Sequence, residues 1–255
     1  MREQHHHKKN IAANLIYGIH AVSEAVSAGK DVQKVLVVAG NRSEQLTELL
    51  HRCRQAEIPV TLVPKEKFNF LKDKTHQGIA AYLSSITYHK IEHILPGLFE
   101  EGKVPLLMVL DKITDVRNFG AIARSALNGG VDALIVPLTD SAPATDDAIR
   151  TSAGALLKIP VCREKNLKTT LEFLNQCGVA TIACSEKAKQ FIFDADLRGP
   201  VAFVVGSEET GISNELLRKC HELVKIPMEE GVSSLNVSVA AGIAIYEAVR
   251  QRMEG

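Results

Sequence analysis

Apolar positions in the early part of the chain follow two rhythms. Short unbroken runs, Val35-Leu36-Val37-Val38, Val60-Thr61-Leu62-Val63 and Gly78-Ile79-Ala80-Ala81-Tyr82-Leu83, have the length and content of buried strands. Between them the apolar residues recur at helical spacing. Residues 16–26 predict a helix ended near Gly29, 46–55 a second with Leu46, Leu49 and Leu50 facing inward, and 65–71 a short third. This alternation predicts a small α/β domain over residues 14–84.

Residues 84–103 form a weaker pattern. Ile91, Ile94, Leu95 and Leu98 share one helical face, but Pro96-Gly97 and Gly102 interrupt it, so residues 85–104 read as a linker. From 105 to 255 the alternation resumes. Strands are predicted at 106–110, 133–136, 179–184, 201–205 and 223–226, and helices at 119–128, 146–157, 168–176, 214–220 and 237–252. Such an order implies a mostly parallel sheet covered on both faces, with ligands beyond the carboxyl ends of its strands. Residues 1–13 are polar and read as a disordered arm; His5-His6-His7 within it receives no function.

Composition adds limits. The chain of 255 residues is 45% hydrophobic, as in ordinary globular proteins, and has no apolar run long enough for a membrane span and no secretory signal pattern. A cytoplasmic location is the expectation. Five scattered cysteines without a CxxC pair read as free thiols of a reducing compartment. The histidines show no metal-ligand spacing, so no metal is expected. Formal net charge is zero, yet it is uneven: residues 1–85 hold 12 Lys+Arg against 8 Asp+Glu, and residues 105–255 hold 16 against 19. A mildly basic first domain is compatible with phosphate contacts.

No glycine-rich GxGxxG turn, no phosphate loop and no HExxH motif is present. The chemistry therefore falls to three polar clusters. The first is Leu110-Asp111-Lys112-Ile113-Thr114-Asp115-Val116-Arg117-Asn118-Phe119-Gly120-Ala121-Ile122-Ala123-Arg124-Ser125-Ala126. Asn118 stands at a helix start, where a simple N-cap is one role; Arg124 has the planar fork that suits a phosphate between two nucleotides. The second is Gly206-Ser207-Glu208-Glu209-Thr210-Gly211 at a strand exit, where Gly206 permits close backbone approach and Glu208 is either a site acid or a loop acid. The third is Ile226-Pro227-Met228, then Ser233-Ser234-Leu235-Asn236-Val237. Ser234 or Asn236 caps the last helix, whose N-terminus can also meet the polar end of a ligand. Ile226, Met228 and Leu235 read equally well as core.

In order, spacing and content these clusters resemble the three motifs of the SpoU (TrmH-like) family of RNA ribose 2′-O-methyltransferases, in the SPOUT class. Leu15-Ile16-Tyr17-Gly18-Ile19-His20 and His76-Gln77-Gly78-Ile79 further resemble the ribosomal-protein-like RNA-binding domain of those members that methylate a guanosine ribose in 23S ribosomal RNA. The resemblance implies an RNA substrate-binding domain at 14–84 and a SPOUT methyltransferase domain at 105–255 with a deep trefoil knot, which general topology rules would disfavour. It implies S-adenosylmethionine as cofactor, with backbone at Gly206, Ile226 and Leu235 gripping it, and a homodimer acting on RNA. Catalytic roles pass to Arg124, Asn118, Glu208, Ser234 and Asn236. A guanidinium stays protonated, which argues for Arg124 as a phosphate ligand and alkoxide stabiliser rather than a base. Two other readings stay open: a transfer-RNA or resistance methyltransferase of the same chemistry, and a non-catalytic RNA-binding assembly factor.

Overall fold

A computed structural model of the chain describes residues 14–72, 74–229 and 234–254. The expected arm and its histidines lie outside the described residues, as does Ser233. The chain forms two compact units, residues 1–87 and 88–255.

The first unit runs β1 (Leu15–Tyr17), α1 (Ile19–Ser27), β2 (Val32–Val38), α2 (Glu44–Gln55), β3 (Val60–Val63), a 3-10 turn (Lys65–Leu71) and β4 (Ile79–Leu83). Its sheet has the order β1-β4-β2-β3, with β2 and β3 parallel and the other pairs antiparallel. Helices α1 and α2 cover one face through Val22, Leu46, Leu49 and Cys53, packed on Val35, Val37 and Ile79. The helix expected from residue 16 begins later. Gly18 at φ 88° turns the chain, so Leu15-Ile16-Tyr17 pair with β4 instead. The amide of Ile19 then donates to Gln77 Oε1.

The second unit runs β5 (Tyr88–His89), α3 (Ile91–Glu100), β6 (Leu106–Asp111), α4 (Val116–Asn128), β7 (Ala133–Pro137), α5 (Asp146–Thr151), β8 (Val161–Glu164), α6 (Leu167–Gln176), β9 (Ala180–Cys184), β10 (Gln190–Phe191), β11 (Val201–Gly206), α7 (Asn214–Leu217), β12 (Glu222–Lys225) and α8 (Val237–Glu254). Its eight strands are all parallel, in the order β10-β12-β9-β11-β6-β7-β8-β5. All six residues of β6 are buried, as a strand covered on both faces requires. After β6 the chain continues to β7 on one side, and after β11 to β12 on the other, and this divergence leaves a crevice at the carboxyl ends of the two strands.

Residues 88–100 are not a linker. They supply the edge strand β5 and helix α3, whose Ile91, Leu95 and Leu98 enter the core of the second unit. Pro96 does not stop this helix. It deprives the Glu92 carbonyl of its helical donor, and Glu92 is exposed, where water replaces that donor. The helix expected at 146–157 breaks after Thr151, because Ala153 and Gly154 take φ of 51° and 82°. The 214–220 helix is shorter, ending at Leu217.

Two features lock the last helix in place. The guanidinium of Arg252 donates to the carbonyls of Val104 and Pro105, just before β6, and of Leu197 and Gly199, just before β11, at 2.7–3.2 Å. Gly129, at the end of α4, faces the buried Ile245: a Cβ there would lie 2.2 Å from Ile245 Cγ2. Gly129→Ala is therefore expected to overpack the contact between α4 and α8 and to cost about 1–3 kcal/mol. Urea unfolding checks this, and an unchanged midpoint would show that the two helices part freely.

Candidate active site

The loop after β11 is tied down by its own backbone. A Cβ on Gly206 would lie 2.2 Å from the carbonyl carbon of Gly211, so the close approach at this glycine is made by the returning chain. Gly211 N donates to Ser207 O at 2.8 Å, and Ser207 Oγ bonds Thr210. Beyond the loop, Ser213 N donates at 2.8 Å to Oδ2 of Asp111, a buried carboxylate at the end of β6. Asp111, a member of the first cluster to which the sequence assigns no role, thus anchors the loop to the neighbouring strand.

Helix α4 is capped by Asp115, whose Oδ1 accepts from Arg117 N and Asn118 N at 2.8 Å. Asn118 is therefore not the cap. It sits in the first turn with its side chain free to reach elsewhere. Its Nδ2 donates to Glu208 Oε1 at 3.1 Å, and its Oδ1 accepts from Asn236 Nδ2 at 3.0 Å. Asn236 caps α8: its Oδ1 accepts from Ser238 N at 2.9 Å, and its Nδ2 also donates to Glu208 Oε1. Val237 N donates to the same Oε1 at 3.4 Å. One carboxylate oxygen thus gathers Asn118, Asn236 and a helix N-terminus, groups with which a negative charge is stabilised.

Beside this cluster lies a cavity of about 340 Å³, within the range of small-ligand sites. The expected residues Gly206, Glu208, Ile226, Ser234 and Leu235 line it, and so does Ser185. Ile226 and Leu235 are thus half-exposed pocket walls rather than core. Val205, Ile212, Leu217 and Val237 complete an apolar side. Sequence reasoning missed Glu186 and Lys187, which continue the wall past the end of β9; their one signal is their place just beyond a strand exit. Burial, with the nearby Cys220 adding to it, pushes the Cys184 thiol up to about 12, so this pocket-lining sulfur stays protonated at neutral pH and is no nucleophile.

Arg124 does not join this group. It lies two turns along α4 from Asn118, about 9 Å further up the axis. It is exposed, lines no part of the cavity, and has no hydrogen-bond or ion-pair partner among the described residues. Within one chain, six residues of helix turn Arg124 away from the face that carries Asn118.

Comparison with known proteins bears on both units. Residues 105–246 match the SpoU rRNA Methylase family, and residues 15–89 match the family described as RNA 2′-O ribose methyltransferase substrate binding. A putative TrmH family tRNA/rRNA methyltransferase of Staphylococcus saprophyticus is 34% identical over 93% of this chain and 96% of its own. The 23S rRNA (guanosine-2′-O-)-methyltransferase RlmB of Photorhabdus laumondii is 36% identical over 94% of this chain and 99% of its own. Among solved structures, the SpoU methyltransferase AviRb of Streptomyces viridochromogenes, in complex with the cofactor AdoMet, aligns with a TM-score of 0.61 at 26% identity, covering 97% of this chain and 94% of that one. With both units matched in order and the clusters of the second drawn into one site, the chain belongs to the SpoU family of RNA 2′-O-ribose methyltransferases.

Proposed function

We propose that this protein methylates the 2′-hydroxyl of a guanosine ribose in 23S ribosomal RNA, with S-adenosylmethionine as donor, in the cytoplasm. The observation that carries this is the junction of Asn118, Glu208 and Asn236 beside a cavity lined by Gly206, Ile226, Ser234 and Leu235. The cavity fits the donor chemically. Its apolar side suits an adenine, Ser185 and Ser234 offer hydroxyls to a ribose, and Glu186 and Glu208 place carboxylates near a cationic sulfonium. Bound there, S-adenosylmethionine supplies an already activated methyl group.

The residues of the chain then have to position the sugar and hold charge. Glu208 fixes the two asparagines, and their amides orient the ribose. Backbone at Gly206, Ile226 and Leu235 holds the donor. Arg124, from the open face of α4, binds the adjacent RNA phosphate and stabilises the developing alkoxide. The first unit, with its basic balance and its match to a substrate-binding family, grips the RNA by shape and phosphate contacts.

We further propose a homodimer and a knotted second unit. Val239, Tyr246 and Met253 are all exposed and recur every seven residues on α8, an apolar stripe suited to a subunit contact beside α4. Such a contact brings Arg124 of one subunit near a site it does not reach alone. The knot is supported by α8 returning from the carboxyl ends of the strands to residues before β6 and β11.

Three outcomes test this reading. Radiolabelled methyl transfer to unmodified 23S ribosomal RNA, with mapping of the product, is expected to yield a single ribose-methylated guanosine; methylation of transfer RNA alone would move the assignment. In single-turnover assays Glu208→Gln and Arg124→Lys are each expected to slow transfer by about 10²-fold, the scale of an ångström of misplacement, with little loss of stability because both side chains are exposed. Full activity of the lysine variant at every pH would remove the guanidinium from the mechanism. Tyr246→Glu is expected to convert a dimer to a monomer in light scattering and to abolish activity; an active wild-type monomer would refute the shared site.

A further inference from the structure

At the outer edge of the eight-stranded sheet two phenylalanine rings face solvent. Phe191 is 41% exposed and Phe193 51%. Phe191, in the edge strand β10, is paired in register with Lys225 at the end of β12, and the Lys225 ammonium sits 4.9 Å from the centre of its ring. The other two cation–aromatic pairs among the described residues, Lys34 over Tyr82 and Arg163 over Tyr88, are 5.4 and 4.2 Å apart and use rings that are only half-exposed. Exposed apolar rings cost solvation free energy and often mark a binding face.

Two observations say what covers this one. The chain leads from it to the cavity at two points: Lys187, four residues before Phe191, and Ile226, the residue after Lys225, both line the cavity. It is also basic. Lys187, Lys189 and Lys225 have no carboxylate partner among the described residues, against the acids Glu186 in the adjoining wall and Asp194 beside Phe193. An aromatic face flanked by unpaired ammonium groups matches single-stranded RNA, whose bases stack on rings while its phosphates seek cations. A protein partner or second copy of this chain would be expected to meet an apolar patch without such an excess of cations.

We propose that Phe191 and Lys225 form a nucleotide subsite of single-stranded RNA character beside the cofactor cavity. A base next to the methylated residue stacks on the open face of Phe191, Lys225 and Lys187 hold its phosphates, and Phe193 borders the platform. This rests on the RNA methyltransferase reading of the cavity and adds to it a contact that helps select which nucleotide enters.

The test uses the full-length protein and two readouts. The first is single-turnover methylation of a 23S ribosomal RNA transcript across RNA concentration; the second is binding of a short fluorescent oligouridine, which needs no catalysis. Phe191→Leu is expected to raise the half-saturating RNA concentration and to weaken oligouridine binding about tenfold, the scale of one lost stack. Phe191→Tyr is expected to retain both, and Lys225→Ala to flatten the salt dependence of binding. Affinity for S-adenosylmethionine, measured by calorimetry, stays within about twofold of wild type in each and reports that the fold is intact. Wild-type RNA dependence in Phe191→Leu overturns the subsite, as does a change in molecular mass, which would assign the face to a subunit contact. Failure of the wild-type protein to methylate RNA, with oligouridine binding still lost in Phe191→Leu, would instead sink the enzymatic reading and leave the subsite standing.

Discussion

The candidate site depends on one oxygen atom. Glu208 Oε1 accepts from Asn118 of α4, from Asn236 at the head of α8, and from the amide of Val237. These groups lie 90 and 28 residues from it along the chain. Two helix starts and a loop meet there, and each brings a donor that a carboxylate satisfies better than a neutral acceptor would. The cluster is open to water, so its members do not carry the fold. Their value lies in direction: the amide of Asn236 is spent in two donations and an acceptance from Ser238 N, and that of Asn118 in one donation and one acceptance. What remains at the cavity rim is fixed in orientation before any ligand arrives, which is the arrangement that lowers a barrier most.

The sheet beneath makes such definition possible. β6 and β11 are paired over their whole length, so the position of Gly206 relative to Asp111 is set by the strand register. The loop then needs only short ties, Asp111 to Ser213 and Ser207 to Gly211, to be held. Functional groups on loops are useful in proportion to the rigidity of what carries them.

Most of this scaffold was legible. The runs at β6, β7, β9 and β11 are almost wholly apolar, with Thr181 and the terminal Asp111 as exceptions, because both faces are covered, and length separates them from helices. What escaped had a physical reason in each case. β8 carries Arg163 and Glu164 and looks polar, yet Glu164 is buried because the Ile91 amide and the Lys90 ammonium satisfy it. β10 is two residues at an edge. β1 was absorbed into a helical pattern that only the positive φ of Gly18 ends. In the site, residue identity pointed to Asn118, Glu208, Ser234 and Asn236 but not to their geometry. At Asn118 the sequence leaves a cap and a site residue both open, because nothing in it ranks Asn118 against Asp115 three residues earlier; the structure gives the cap to Asp115. Motif membership groups Arg124 with these residues in the sequence, while within one chain the turns of α4 carry it to another face.

Arg252 ties the last helix to the two central strands. Its guanidinium closes the starts of both strands at once, and burial among those carbonyls lowers its hold on the proton relative to an exposed arginine. The same helix carries Asn236 at its head, so one rigid rod of eighteen residues runs from the Glu208 junction to the residues before β6 and β11. It works as a strut: its footing on those carbonyls sets how far its head stands over the cavity.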